Sequence, residues 1–338
     1  MIKYILVTGG LGYIGSHVCV ELLNNDYQII VIDNLSNSKL EIVDRIQMIT
    51  NKSFIFINGD LLEIQSIEKI FNQYQIDLVI HLAGCKSIQE STIDPIKYYM
   101  NNVICSINLI NTMKKFNCKK FLFSSSATVY GNQQSPVNEL METGRNIINP
   151  YGKTKYVIEE MLKDIYQSDQ SWSIIILRYF NPIGAHHTGL IGENPNQPNN
   201  LFPYLLKVSE GHYPYVSIYG NDYDTPDGTC VRDYIHVVDL SKGHIKVIQK
   251  LQSENLFDIY NLGTGKSTSV MQLITEMEKV NNISINYQIV GRKIGDIPII
   301  YANIDKAKEK LQYETEKSIK EMCEDGYRFV ITQKLSST

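Results

Sequence analysis

The chain has 338 residues, 43% of them hydrophobic and 20% charged, with 32 basic against 36 acidic side chains and a formal net charge of −4. Such a chain can bury a sizeable core without disulfides or metals. A slightly acidic balance gives no general attraction for nucleic acid or an anionic membrane, so any anionic ligand must be held by a few local groups.

Apolar runs of strand length at 4–7, 29–32, 54–57, 78–82, 121–124 and 174–178 alternate with longer amphipathic stretches at 14–23, 67–74, 95–116 and 151–166. Continuous apolar strands separated by helices predict a parallel sheet covered on both faces. After about residue 180 the texture changes. Asn181-Pro182, Glu193-Asn194-Pro195 and Gln197-Pro198-Asn199-Asn200 read as a turn-rich connector. Shorter mixed elements follow, with a strand–turn at 259–265. The expected fold class is α/β, a Rossmann-type doubly wound sheet over residues 1–180 with a smaller C-terminal α/β lobe over 181–338. Residues 233–262 can return to the sheet, so the two segments can interleave.

The first apolar run stops at Thr8-Gly9-Gly10, too short for a secretion signal, and no run approaches the ~18 residues of a membrane span. Cys19, Cys85, Cys105, Cys118, Cys230 and Cys323 are scattered, without Cys-x-x-Cys spacing or a His/Cys cluster. Buried free thiols, no metal site and a reducing, cytoplasmic setting are expected.

Directly after the first strand come Gly9, Gly12 and Gly15 in Gly-x-x-Gly-x-x-Gly spacing, followed by a helical stretch. Glycines here allow a tight turn and close approach of backbone to a pyrophosphate, which the helix N-terminus then attracts. The second strand ends at Asp33, at the interval where a carboxylate bonds the adenosine ribose diol and favours NAD over NADP. Taken alone, Asp33 reads equally well as a carboxylate capping a turn. Asp60 and the run His81-Leu82-Ala83-Gly84 lie at later strand ends, where open parallel sheets place ligands. His81 has no metal-like partner at helical spacing and reads as structural.

The serine run Ser124-Ser125-Ser126 follows the fifth strand, and Tyr151 and Lys155 stand four apart at the start of a helix, on one face. A phenol with pKa ~10 is a poor base at neutral pH. A neighbouring ammonium and an oxidised nicotinamide favour the phenolate, and a serine hydroxyl orients a substrate alcohol. The set suits reversible removal of a hydride and a proton from a secondary alcohol. Lys153, two residues from Tyr151, faces away. Tyr-x-x-x-Lys also arises by chance in a chain with 22 tyrosines; its place behind the glycine loop and serine run is what gives it weight.

Tyr-x-x-x-Lys, the serine and the glycine loop together resemble the extended short-chain dehydrogenase/reductase superfamily. Within it, residues 8–16 (TGGLGYIGS), 33–38 (DNLSNS), 124–131 (SSSATVYG), 151–155 (YGKTK), 178–184 (RYFNPIG), 198–201 (PNNL) and 231–237 (VRDYIHV) are similar to the UDP-glucose 4-epimerase family, over nearly the whole chain. The resemblance implies an isomerase of galactose metabolism that interconverts UDP-galactose and UDP-glucose through a 4-keto sugar, with tightly bound NAD as the transient hydride acceptor. It makes Tyr151 the acid and base, Lys155 its charge partner and ribose anchor, and Ser126 the proton relay. It places NAD against the glycine loop with Tyr13 and Ile14, the turn Asp33, Asn34, Leu35, Ser36, Asn37 and Ser38, then Asp60 and Leu61. The same cofactor meets Leu82, Ala83, Gly84, Lys86, Asn101 and Phe180. It puts the UDP-sugar, besides Lys86, Ser126 and Tyr151, against Asn181, Asn199, Asn200, Leu201, the uracil-lining Ser217, Ile218 and Tyr219, and Arg232, Lys293, Asp296 and Ile300. Arg232-Asp233 also reads as a local ion pair.

Two departures stand out. The family's Arg-x-Gly-Asp reads Lys293-Ile294-Gly295-Asp296 here, leaving Lys293 or the preceding Arg292 to meet the diphosphate. Ile300 occupies a position where tyrosine restricts the sugar pocket and a small residue opens it. The expectation is a preference for UDP-glucose and UDP-galactose with weak activity on N-acetylated UDP-sugars. A nucleotide-sugar dehydratase is the rival enzyme, but Ser126-Ala127-Thr128-Val129 lacks the acidic pair it needs. A non-catalytic NAD-binding protein is the other rival, and it tends to lose Tyr or Lys. The resemblance also implies a homodimer paired through the helices at 95–116 and 151–166.

Overall fold

Apolar runs become buried strands where helices cover both faces of a sheet. In the computed structural model, which describes residues 2–195, 197–253, 255–293 and 296–337, six of them come early: β1 (Tyr4–Thr8), β2 (Ile29–Asp33), β3 (Ile55–Asn58), β4 (Ile76–His81), β5 (Lys120–Ser126) and β6 (Ser173–Tyr179). With Phe257–Leu262 they form a seven-stranded sheet in the order Phe257–Leu262, β6, β5, β4, β1, β2, β3. The pairings β4–β5, β1–β4, β1–β2 and β2–β3 are all parallel. The order reverses between β1 and β4, the switch point where doubly wound sheets open a crevice for ligands.

Two units divide the chain. The first comprises residues 1–131, 142–178 and 241–260; the second comprises 132–141, 179–240 and 261–338. The boundary therefore falls at several points of the chain rather than at one. The core of the first unit joins Leu6, Ile30, Val79, Phe121 and Ile174 of the sheet to Leu109, Met113, Ile158 and Leu162 of the flanking helices Cys105–Lys115 and Pro150–Ser168. The second unit uses short pieces. Asn181–Ile183 pairs in parallel with Tyr234–His236, Val216–Tyr219 with Tyr287–Val290, and Val231–Arg232 lies between Thr268–Ser269 and Ile299–Ile300. Its core gathers Phe202, Leu205 and Leu206 with Leu273, Ile274, Met277, Met322 and Cys323.

Two features differ from the sequence expectation. The stretch expected as one helix over 95–116 is a short helix Pro95–Tyr98, a π-helical segment Tyr99–Ile104 and a helix Cys105–Lys115. The wide turns accommodate Asn102, a buried side chain whose hydrogen bonds lie outside its own helix. A further helix, Ile42–Thr50, buries only Ile46 and so carries too thin an apolar stripe to show in the sequence. Among the described residues no helix is long and apolar enough to cross a membrane.

Candidate active site

The glycine loop joins β1 to the helix Tyr13–Asn24. Gly9 has φ +67°, and a Cβ there would lie 2.8 Å from the Ala83 backbone. At Gly15 a Cβ would come within 2.1 Å of the Gly9 carbonyl oxygen, so the helix can start this close to the strand only without a side chain. Gly12 is the N-cap and brings no side-chain cap. With no side chain over the helix start, the helix dipole there favours an anion. Lys86, exposed, lies 5.8 Å from the centre of the Tyr13 ring.

The turn-capping reading of Asp33 is visible in its geometry. Its carboxylate accepts from the Leu11 and Leu35 N–H groups at 3.1 and 3.0 Å and from the Ser38 hydroxyl at 2.8 Å. It thus ties the glycine loop to the turn after β2, and a carboxylate with about four acceptor positions keeps capacity for a ribose hydroxyl. Asn34 donates to Asp60 at 3.0 Å. Leu61 is buried in the core, whereas Asn101 donates to the Lys97 carbonyl at 2.9 Å. These features fit a dinucleotide: a side-chain-free turn, an uncapped helix start and a carboxylate at the next strand end.

The chemical groups sit at the end of β5. Asn149 caps the helix Pro150–Ser168 by accepting from Gly152 N–H at 2.8 Å, with Pro150 preset for the first turn. That fixes Tyr151 and Lys155 on one face, while Lys153 is exposed. The Ser126 hydroxyl lies beside the Tyr151 phenol and favours its charged form. The Lys155 ammonium is buried, donates to the Ser124 carbonyl at 2.7 Å, and lies over the rings of Phe123 at 4.8 Å and Tyr151 at 6.0 Å. The expected fall in the Tyr151 pKa is absent in the chain alone: burial pushes the phenol up, opposed by the neighbouring Ser126 hydroxyl. Burial also brings Lys155 down to about 8, with the Glu159 carboxylate working against that fall.

His81 is structural, as its spacing implied. Burial holds it neutral, near a pKa of about 3, between the hydroxyls of Thr8 at 2.7 Å and Ser106 at 2.9 Å. Three residues escaped the sequence reading. Asn102 accepts from Cys85 N–H at 2.8 Å and donates to the Thr154 hydroxyl at 2.9 Å, locking the loop after β4 to the helix of Tyr151. A buried asparagine on an apolar stripe is the signal that could have found it. The Thr128 hydroxyl, two residues past Ser126, is buried with no hydrogen-bond partner among the described residues. The third is Glu159, one turn beyond Lys155.

The second unit carries the remaining expected residues. Asn181 begins its short strand, Asn199 and Asn200 are exposed before the helix Leu201–Ser209, and Phe180 is buried with its N–H on the Leu262 carbonyl at 3.2 Å. Ser217, Ile218 and Tyr219 lie on the strand paired with Tyr287–Val290. Arg232 binds Asp296 at 2.5 Å and the Ile297 carbonyl at 2.7 Å, and Ile300, largely buried, is its register partner. The pair Arg232-Asp233 does not form: Asp233 instead accepts from Thr264, Gly265 and Ala302 N–H groups. Arg292 is bonded to Asp222 at 2.8 Å and stacked over Tyr223 at 4.2 Å, while Lys293 lies 5.8 Å from the Tyr219 ring centre. Ile294 and Gly295 fall outside the described residues. All six cysteines are free thiols and all but Cys85 are buried; no cluster able to hold a metal occurs among the described residues.

A dinucleotide loop, a doubly wound sheet and a Ser–Tyr–Lys centre define an NAD-dependent enzyme of the extended short-chain class, and comparison with known proteins narrows it. The model of the NAD dependent epimerase/dehydratase family matches residues 5–263. The UDP-glucose 4-epimerase of Bacillus subtilis (strain 168) is 48% identical over 327 residues, 96% of each chain. The solved UDP-glucose-4-epimerase of Stenotrophomonas maltophila, with bound NAD and formylated UDP-arabinopyranose, is similar with a TM-score of 0.96 at 39% identity, over 99% of both chains. That of Bifidobacterium longum, in complex with NAD+ and UDP, has a TM-score of 0.95 at 44% identity, over 98% of this chain and 99% of that one. This chain belongs to the NAD dependent epimerase/dehydratase family, and within it stands with the UDP-glucose 4-epimerases.

Proposed function

We propose that the chain interconverts UDP-galactose and UDP-glucose, with the Ser126–Tyr151–Lys155 set at the end of β5 as the observation that carries the reading. Tyr151 takes the proton from the sugar 4-hydroxyl and later returns it, Ser126 relays that proton, and Lys155 holds positive charge beside the phenol. The glycine loop and Asp33 would hold NAD, which would supply a reversible hydride acceptor for C4 of the sugar and, when oxidised, the positive charge that burial of Tyr151 requires. The first unit serves as the NAD-binding domain.

The second unit serves as the UDP-sugar-binding domain. Arg232 meets the diphosphate with the donors its protein bonds leave free, and Lys293 rather than Arg292 adds charge, because Arg292 is held by Asp222 and Tyr223. Asn181 and Asn199 support the phosphates and sugar, and the strand at Ser217, Ile218 and Tyr219 receives the uracil. The protein works in the cytoplasm as a homodimer; exposed Ile96, Tyr99, Met100, Ile104 and Val157 on the 95–116 and 151–166 helices supply its apolar face. Sedimentation as a monomer at micromolar concentration would remove the dimer.

A coupled assay for UDP-glucose formed from UDP-galactose, with no NAD added, tests reaction and retained cofactor together. Turnover supports both. Release of a 4-keto-6-deoxy product would replace the epimerase with a dehydratase, and no interconversion would replace it with a binder.

A further inference from the structure

The first unit holds a buried ion pair that the proposed chemistry leaves unused. Glu159 lies on the helix Pro150–Ser168, four residues past Lys155 and eight past Tyr151, so the three share a face. Glu159 is 3% exposed and Arg178, on β6, 2%. The guanidinium meets the carboxylate as a fork: Nε donates to Oε1 at 3.1 Å and Nη2 to Oε2 at 2.7 Å. Arg178 lies over the Tyr130 ring at 4.8 Å, and the Ser125 hydroxyl donates to Oε1 of Glu159.

Three successive serines thereby address three successive turns of the helix. The Ser126 hydroxyl faces Tyr151, the Ser124 carbonyl accepts from Lys155, and the Ser125 hydroxyl donates to Glu159. A buried ion pair is a weak device for stability, since apolar residues of similar volume often serve as well or better. Its position beside the reacting groups asks for another role.

We infer that Glu159, anchored by Arg178 and Ser125, is a positioning residue of the catalytic centre: its fixed carboxylate keeps the Lys155 ammonium charged in a dry site and seats the serine strand end against the catalytic helix. This rests on the reading of Tyr151 and Lys155 as the chemical centre. Around Lys155, its own helix presents Tyr151 and Glu159, β4 presents His81 and the loop after it the Cys85 thiol, and β5 presents the Ser124 carbonyl and Phe123 ring. Burial raises the Cys85 thiol and holds His81 neutral, which leaves the Glu159 carboxylate as the main negative charge named there. Glu159 in turn faces Arg178 from β6, Ser125 from β5, and Lys155 and Tyr156 from its own helix. Without the carboxylate, burial acts on Lys155 unopposed and its proton leaves at lower pH.

The test compares the full-length protein with Glu159→Gln and with Glu159→Gln/Arg178→Met. The single change strands the Arg178 charge, so the double variant, which removes both charges at similar volume, decides. In protein labelled with 13C-lysine, the ε-carbon signal missing from Lys155→Met reports Lys155 directly. Its midpoint is expected at about 8 in the parent. In the double variant it is expected to move down by about one pH unit, with the alkaline limb of kcat for UDP-galactose following. An unchanged midpoint overturns the inference, as does a double variant that fails to fold, since a positioning role leaves the scaffold intact. A parent that titrates as expected but turns over no UDP-galactose overturns the proposed reaction and leaves the role of Glu159 standing.

Discussion

In the first unit, Tyr151 and Lys155 ride on a 19-residue helix packed on a seven-stranded sheet, and Lys155 is bonded to backbone. In the second, Arg232 and Ile300 sit on two-residue strands, and Lys293 and Asn199 are exposed. Proton and hydride transfer demand fixed geometry and a dry site, which long packed elements give. Recognition of a charged nucleotide spreads over several polar contacts, each worth little alone, and short strands and turns suffice for that. Changes in the first unit should therefore strike kcat, and changes in the second KM or substrate choice.

The sharpest way to break that contrast is Tyr151→Phe, which keeps the ring and removes the phenol. It is expected to lower kcat by about 10³-fold, within the usual range for a general acid–base group, while NAD stays with the purified protein. A kcat within tenfold of the parent would sink the assignment. The pH dependence comes next. Lys155 is charged below about 8 and neutral above it. Activity that needs the ammonium is therefore present below that value and lost as pH rises through it, about tenfold per unit on the far side. A profile still flat two units higher would show that the charge is not needed.

These groups were legible in the sequence because their spacing is local: Gly9, Gly12 and Gly15 in one turn, Tyr151 and Lys155 in one helical step. The sheet was legible for the same reason, its strands being unbroken apolar runs. Asn102 was not, because its partners Cys85 and Thr154 are 17 and 52 residues away. The π-helical turn was hidden with it, since its cause is that distant pairing. The direction of the Tyr151 shift in the chain alone was hidden because burial is a property of the fold, and here it outweighs the Ser126 hydroxyl. The interleaving of the units depends on where 241–260 packs, which composition leaves open.

In the second unit, Arg232→Ala should raise KM for UDP-galactose by about 10- to 100-fold, the loss of charge-assisted hydrogen bonds to phosphate, with kcat within about threefold. Arg292→Ala should change KM by less than about threefold, because its guanidinium is engaged by Asp222 and the Tyr223 ring rather than by the diphosphate. The reverse ranking would reassign the phosphate contact to Arg292.

The smallest effect concerns the sugar's 2-substituent. Ile300 is largely buried and pairs in register with Arg232, so its side chain is fixed by the same short sheet that places the guanidinium. Removing its branched bulk with Ile300→Ser should raise kcat/KM for UDP-N-acetylglucosamine by about 5- to 10-fold, the low end of the ~1–3 kcal/mol by which a methylene in an apolar pocket discriminates. The value for UDP-glucose should stay within about threefold, because the glucose 2-hydroxyl does not need the space. Equal kcat/KM for the two sugars in the parent protein would show that the pocket does not discriminate at the 2-position and would remove Ile300 as its gate.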